Sequence, residues 1–140
     1  MASLVQIAYT SMDSRIGDAS LMPYAPVRLA HLDKNRDSVA LVDSGASVNV
    51  LPFQIGCDLG LDWEKQTTRI RLSGNLANFD ARAVLLTAHI ANLSPVKLVF
   101  AWTQRDDVPL IFGQTNFFMT FDVCFHRSRG FFTLSLTNDG

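Results

Sequence analysis

Val39-Ala40-Leu41-Val42-Asp43-Ser44-Gly45-Ala46-Ser47-Val48 is an apolar, β-branched run that stops at a carboxylate and two small residues, then turns apolar again through Val50 and Leu51. This pattern reads as strand, tight loop, strand. A carboxylate at the tip of an apolar strand is costly to ionise unless donors hold it, so Asp43 needs an explanation. Asp, Ser and Gly are ordinary turn residues, and a plain turn cap is one reading. The apolar residues on both sides favour another, in which the carboxylate is held inside the protein.

Working outward from this stretch, Tyr24 to Leu32 alternates broadly, and Asp33-Lys34-Asn35-Arg36-Asp37 reads as a charged turn that returns the chain as a hairpin into Val39. Beyond the loop, Pro52 opens a short helical turn that Gly60 ends. Ile70 and Leu72 alternate with Arg69 and Arg71 before the turn Ser73-Gly74-Asn75, and a long arm returns from Phe79 to Ile90. Such a hairpin is either a cover over a site or an ordinary surface hairpin. Val96 to Trp102 and Val108 to Gly113 are further apolar runs, Gln114 to Phe118 suits one short helix, and Phe121 to Phe125 and Phe131 to Leu136 read as strands. Leu4 to Tyr9 alternates weakly. Many short strands at close spacing with little helical periodicity argue for an all-β barrel or sandwich.

The composition narrows the function classes. With 140 residues, 48% hydrophobic and 18% charged, the chain suits one globular domain. A net charge of -1 with scattered arginines gives no footprint for nucleic acid or an anionic membrane. No signal-like core and no run near ~20 apolar residues is present, so a soluble, cytoplasmic protein is expected. Cys57 and Cys124 lie in apolar surroundings and read as buried free thiols, and His31, His89 and His126 stand apart as structural or surface residues. No metal and no cofactor is expected, because no His or Cys lies at ligand spacing.

The order of these features resembles the retroviral-type aspartic proteases, the retropepsins, and their bacterial relatives, over roughly residues 27–136. Asp43, Ser44, Gly45 and Ala46 look like the family's catalytic loop, the Pro52 to Leu61 segment like the stretch that follows it, Gly74 falls where the family carries a flap, and Leu110-Ile111-Phe112-Gly113 is similar to its later hydrophobic-hydrophobic-glycine signature. Two signatures about seventy residues apart are far more specific than a lone Asp-Ser-Gly. The resemblance implies a closed β-barrel with one or two short helices, serving as one lobe of a C2 dimer. Residues 1–22 would be an arm, a removable leader or an interface strand, and 23–140 the protease domain.

By that resemblance Asp43 is catalytic, as one of two carboxylates that share a proton and activate water. The chain holds one such tripeptide, so the second carboxylate would come from another copy. Ser44, Gly45 and Ala46 would support the loop. Ser47, Val48, Ser73, Gly74, Asn75, Leu76 and Ile111 would touch a peptide or protein substrate, with Gly113 and Gln114 beside the site. Ser47 and Gln114 stand where many retroviral members carry an acid and an arginine, and a Ser-Gln hydrogen bond is one replacement for that ion pair. Leu4 to Ile7 and Phe131 to Leu136 are candidates for a dimer seam, the alternative being that the latter is a core strand of its own subunit. The function implied is a homodimeric aspartic endopeptidase. Competing readings are a proteolytically inactive peptide-binding or assembly module on the same fold, and an unrelated β-barrel binding protein.

Overall fold

The computed structural model describes residues 3–12, 20–72 and 74–137, and only the backbone of Asn75. Among the described residues there are nine strands and two short helices: β1 Leu4–Ala8, β2 Tyr24–His31, β3 Lys34–Val42, β4 Asn49–Leu51, α1 Phe53–Asp58, β5 Ala81–His89, β6 Val96–Thr103, β7 Ile111–Phe112, α2 Phe117–Thr120, β8 Phe121–His126 and β9 Phe131–Leu136. Six of the strands close a barrel in the order β2-β3-β7-β4-β6-β5, and β1-β9-β8 form a separate sheet. The fold is the retropepsin-like closed barrel that the sequence resemblance implied.

One crossing in the barrel positions the site. β3 and β4 are consecutive in the chain, but β7 slots between them, parallel to β3 and antiparallel to β4. The Asp43 loop must therefore arch over β7, spanning two inter-strand spacings, or roughly 9.5 Å. β6 closes against β4 in parallel and against β5 in antiparallel register.

Alternation along the strands fills the core. Ala25, Val27 and Leu29 of β2, Ala40 and Val42 of β3, and Leu98, Phe100 and Trp102 of β6 all point inward. Aromatic rings dominate the space between barrel and sheet, where Phe112 stacks on Phe117 at 4.2 Å and Phe117 meets Phe121 at 4.8 Å. Helix α1 lies flat on Trp102 because Gly56 has no side chain; a Cβ there would sit 2.3 Å from the indole. The Trp102 indole N–H donates to the Phe53 carbonyl at 3.1 Å, so the ring's polar group is satisfied inside the core.

Four sequence expectations are corrected. The first turn is the two-residue Leu32-Asp33, not the charged run to Asp37; Leu32 adopts φ 54° and is fully outside, while Arg36 and Asp37 belong to β3. A leucine in the left-handed region carries no turn signature, which hid this hairpin. The strand expected around Ile70 and Leu72 reduces to one bridge, Arg69 to Arg82. The helix expected from Gln114 starts at Phe117, because Asn116 just before it adopts φ 83°, outside the right-handed helical region. Cys57 and Cys124 are exposed rather than buried. Cys57 faces away from the buried side of α1, Ile55 and Gly56, and Cys124 lies on the face of β8 opposite Phe121 and Val123.

β9 pairs with β1 on one edge and β8 on the other, and Phe132 and Leu134 are buried in the main core. It is thus a core strand of its own subunit, one of the two readings open from sequence. Its hydrogen-bonding edges are occupied within the chain. Among the described residues no helix is long and apolar enough to cross a membrane.

Candidate active site

Asp43 follows β3 directly, half-buried, and its N–H donates to the Phe112 carbonyl at 3.0 Å. Its Oδ1 accepts the Gly45 N–H at 2.9 Å. Such a bond fixes the carboxylate's rotamer over the loop. The Ala46 N–H returns to the Asp43 carbonyl at 3.1 Å, closing the loop on itself.

The segment after β7 then staples the far arm of the loop. Gln114 N–H donates to the Ala46 carbonyl and Thr115 N–H to the Ser47 carbonyl, both at 2.8 Å. The Gln114 side-chain amide donates to the Ser44 carbonyl at 2.8 Å. A neutral amide at this position thus grips the loop backbone one residue past the carboxylate. Gly113 is what allows the two segments to lie so close: a Cβ there would stand 2.4 Å from the Val48 oxygen and 2.9 Å from that of Ala46. These contacts are backbone to backbone, so no side-chain rotation relieves them.

Asn49 is the residue that sequence reading missed. It is fully buried, its Oδ1 accepts the Gly113 N–H at 2.8 Å, and its amide donates to the Val99 carbonyl at 3.0 Å. One side chain therefore ties the end of the loop, the glycine beneath it and β6 together. The signal available was a single amide inside the apolar run Val48-Asn49-Val50-Leu51, which requires a buried partner.

Asp43 stands at the rim of a recess of about 160 Å³ lined by Gly45, Ala46, Ser47, Val48, Val50, Leu72, Gly74, Leu76 and Ile111. Of the residues named from sequence, the structure brings Ser47, Val48, Gly74, Leu76 and Ile111 together beside Asp43. Gly113 and Gln114 lie beneath and beside the loop. Ser73 and the Asn75 side chain lie outside the described residues. The apolar wall continues into a second buried cluster of Val50, Leu72, Ala81, Ala101, Val108 and Ile111. Thr103 points a buried, unpartnered hydroxyl from the same face of β6 as Ala101.

The segment over this recess is a bridge and a 3-10 turn. Ile70 N–H bonds the Ala81 carbonyl at 3.0 Å, Gly74 to Leu76 form the turn, and Phe79 lies under the Arg105 guanidinium at 4.3 Å. A larger groove of about 580 Å³ lies elsewhere on the barrel, around Arg28, Asp37 and His89. It shares no residue with the Asp43 loop and contains an exposed ion pair, Arg28 to Asp37 at 2.7 Å. Chemistry and cavity size therefore point to different places, and the carboxylate in its aliphatic recess is the stronger candidate. Among the described residues no cluster of His, Cys, Asp or Glu is arranged to hold a metal.

No family model matches the sequence, and no curated protein does. The structure is similar to the crystal structure of a retropepsin-like aspartic protease from Rickettsia conorii, with a TM-score of 0.64 over 97% of this chain and 94% of that one, at 18% identity. At that identity the likeness establishes the fold.

Proposed function

We propose that this chain is an aspartic endopeptidase that works as a homodimer. The observation that carries the reading is Asp43, its Oδ1 held by the Gly45 N–H, at the mouth of an aliphatic recess in a retropepsin-like barrel. The similar Rickettsia protein bears the name of a protease of this kind, which supports the same reading.

The chemistry needs two carboxylates, one to take a proton from water and one to give a proton to the peptide carbonyl. This chain supplies one, so Asp43 of a second copy would complete the pair about a two-fold axis. Two carboxylates at ~3 Å share a proton and titrate as a unit. An extended peptide would lie across the loop, one apolar side chain in the recess beside Val48 and Ile111, covered by the segment around Gly74. Residues 23–140 would carry this site, with β1 bracing the outer sheet.

A second reading is an inactive peptide-binding module on the same fold, favoured by the neutral side chain of Gln114 beside the loop. A pH scan of peptide cleavage, with and without a statine-type inhibitor, separates the two. Acid-range activity blocked by the inhibitor supports the protease; no turnover at any pH with the peptide still bound overturns it.

A further inference from the structure

Resting on the reading that Asp43 needs a second copy of itself, we infer that the two copies meet along the outer edge of β8, with Cys124 at the two-fold axis. The starting observation is a second recess, about 250 Å³, on the other side of the catalytic loop. It is lined by Met22, Pro23, Leu41, Asp43, Ser44 and Phe125, among others. Phe125 of β8 thus flanks the carboxylate, and it and Met22 are 40% and 42% exposed. Large apolar side chains left open beside a half-complete site mark where a partner belongs.

The sheet topology singles out the same strand. β9 is saturated by β1 and β8, and β1 lies on the sheet edge opposite β8. β8 is therefore the edge of this sheet contiguous with Asp43. Its sequence, Phe121-Asp122-Val123-Cys124-Phe125-His126, contains no proline or lysine to block edge pairing.

The ladder fixes which groups face outward. Thr137 N–H bonds the Thr120 carbonyl at 2.9 Å, and stepping by two along the register makes Asp122 with Ser135 and Cys124 with Thr133 the hydrogen-bonded pairs. The N–H and C=O of Val123 and Phe125 consequently turn to the edge of β8 that is unpaired among the described residues. An antiparallel pair about a two-fold at Cys124 satisfies them mutually, Val123 of one copy against Phe125 of the other. The same register sets Asp122 opposite His126 of the other copy, a carboxylate facing an imidazole that can donate to it, and Val123 opposite Phe125, joining apolar with apolar. It also sets the two Cys124 thiols face to face in a non-hydrogen-bonded pair. Cα atoms there are about 4.5 Å apart, within disulfide range.

The test uses the full chain. Sedimentation across concentrations should show a dimer that Phe125→Asp weakens at least about thirtyfold, the scale of a central contact. Val123→Pro should weaken it too, because it removes an outward N–H and leaves the β9 ladder whole. Thermal melts should show both variants folded; if Val123→Pro does not fold, Phe125→Asp decides. In a Cys57→Ser background, mild oxidation with copper phenanthroline should link two copies through Cys124, and the link should vanish in Cys124→Ser. A dimer untouched by both substitutions, or one that does not cross-link through Cys124, overturns the seam. Peptide cleavage that still depends on Asp43 would then leave the protease reading standing. A chain that stays monomeric at every concentration overturns both. A confirmed seam with cleavage that persists in Asp43→Asn overturns the protease reading alone.

Discussion

The Asp43 loop and the segment above it are both short, glycine-bearing stretches facing the same recess, yet they are held in opposite ways. Residues 43–48 are fixed by a backbone bond from Asp43 to Phe112, two more from Gln114 and Thr115, the Gln114 amide and, at the exit, the buried Asn49. Among the described residues, 74–79 are held by internal bonds of 3.2 Å from Ala77 to Gly74 and 3.0 Å from Phe79 to Leu76, and by half-buried Leu76 and Phe79. The contrast would suit the two duties of the proposed function. In that reading a carboxylate that meets its mate within about half an ångström needs a rigid seat, whereas a cover that opens to admit a peptide would be drawn from weakly bonded structure.

Substitutions ranked by expected effect test that contrast. Asp43→Asn should lower peptide cleavage by about 10³-fold or more while leaving the melting temperature and sedimentation profile in place, since it removes an acid-base group and no packing. Turnover retained in that variant would end the catalytic assignment. Asn49→Leu keeps similar volume but strands the Gly113 N–H and the Val99 carbonyl, so urea unfolding should show a loss of about 2–4 kcal/mol. A neutral result would mean the loop is seated by its backbone bonds alone.

Phe79→Ala removes a half-buried ring and its contact with Arg105, and should cost about 1–2 kcal/mol. Its larger signature is expected in KM rather than kcat, because under the proposed function the ring belongs to the cover. An equal fall in kcat and kcat/KM would assign this segment to the chemical step instead. Gln114→Ala should cost about 1 kcal/mol of stability, since the exposed Ser44 carbonyl recovers a bond from water. Cleavage should fall more than stability does, because the seat of the carboxylate loosens.

The smallest effect belongs to the far side of the barrel. The Asp37 carboxyl is held below its usual range by the Arg28 guanidinium, mainly through their hydrogen bond. Its contribution is present above the carboxyl's unfolded pKa and disappears as pH falls through the lowered folded value. Asp37→Asn should therefore alter thermal stability only slightly, flatten its dependence on acid pH, and leave peptide cleavage unchanged at neutral pH. Both groups are exposed, so salt should erase most of the difference.

Legibility followed the range of the interactions. Alternation and turn residues located β2, the end of β3, β6, β8 and β9, because a strand with one buried face must alternate. Elements placed by distant partners were misread. The 3-10 turn at Gly74 and the displaced α2 depend on what lies across from them, and the Leu32 turn has a backbone that its residue type does not advertise. Cys57 and Cys124 looked buried because their neighbours are apolar, but in β8 adjacent residues face opposite sides and apolar neighbours imply nothing about Cys124 itself.

By itself the sequence determined the all-β class, the strand that delivers Asp43, the small residues of its loop and the glycine that later passes beneath it. Each follows from local pattern or from a backbone requirement that one residue type meets. Tertiary structure decided the rest: that β7 slots between β3 and β4, that Asn49 anchors the loop, that the Gln114 amide reaches the Ser44 carbonyl, and that among the described residues β9 is paired on both edges and β8 on one. These depend on which strands become neighbours, and strand order is set by contacts between residues far apart in the chain, such as Asn49 with Gly113 and Val99, that no local pattern encodes.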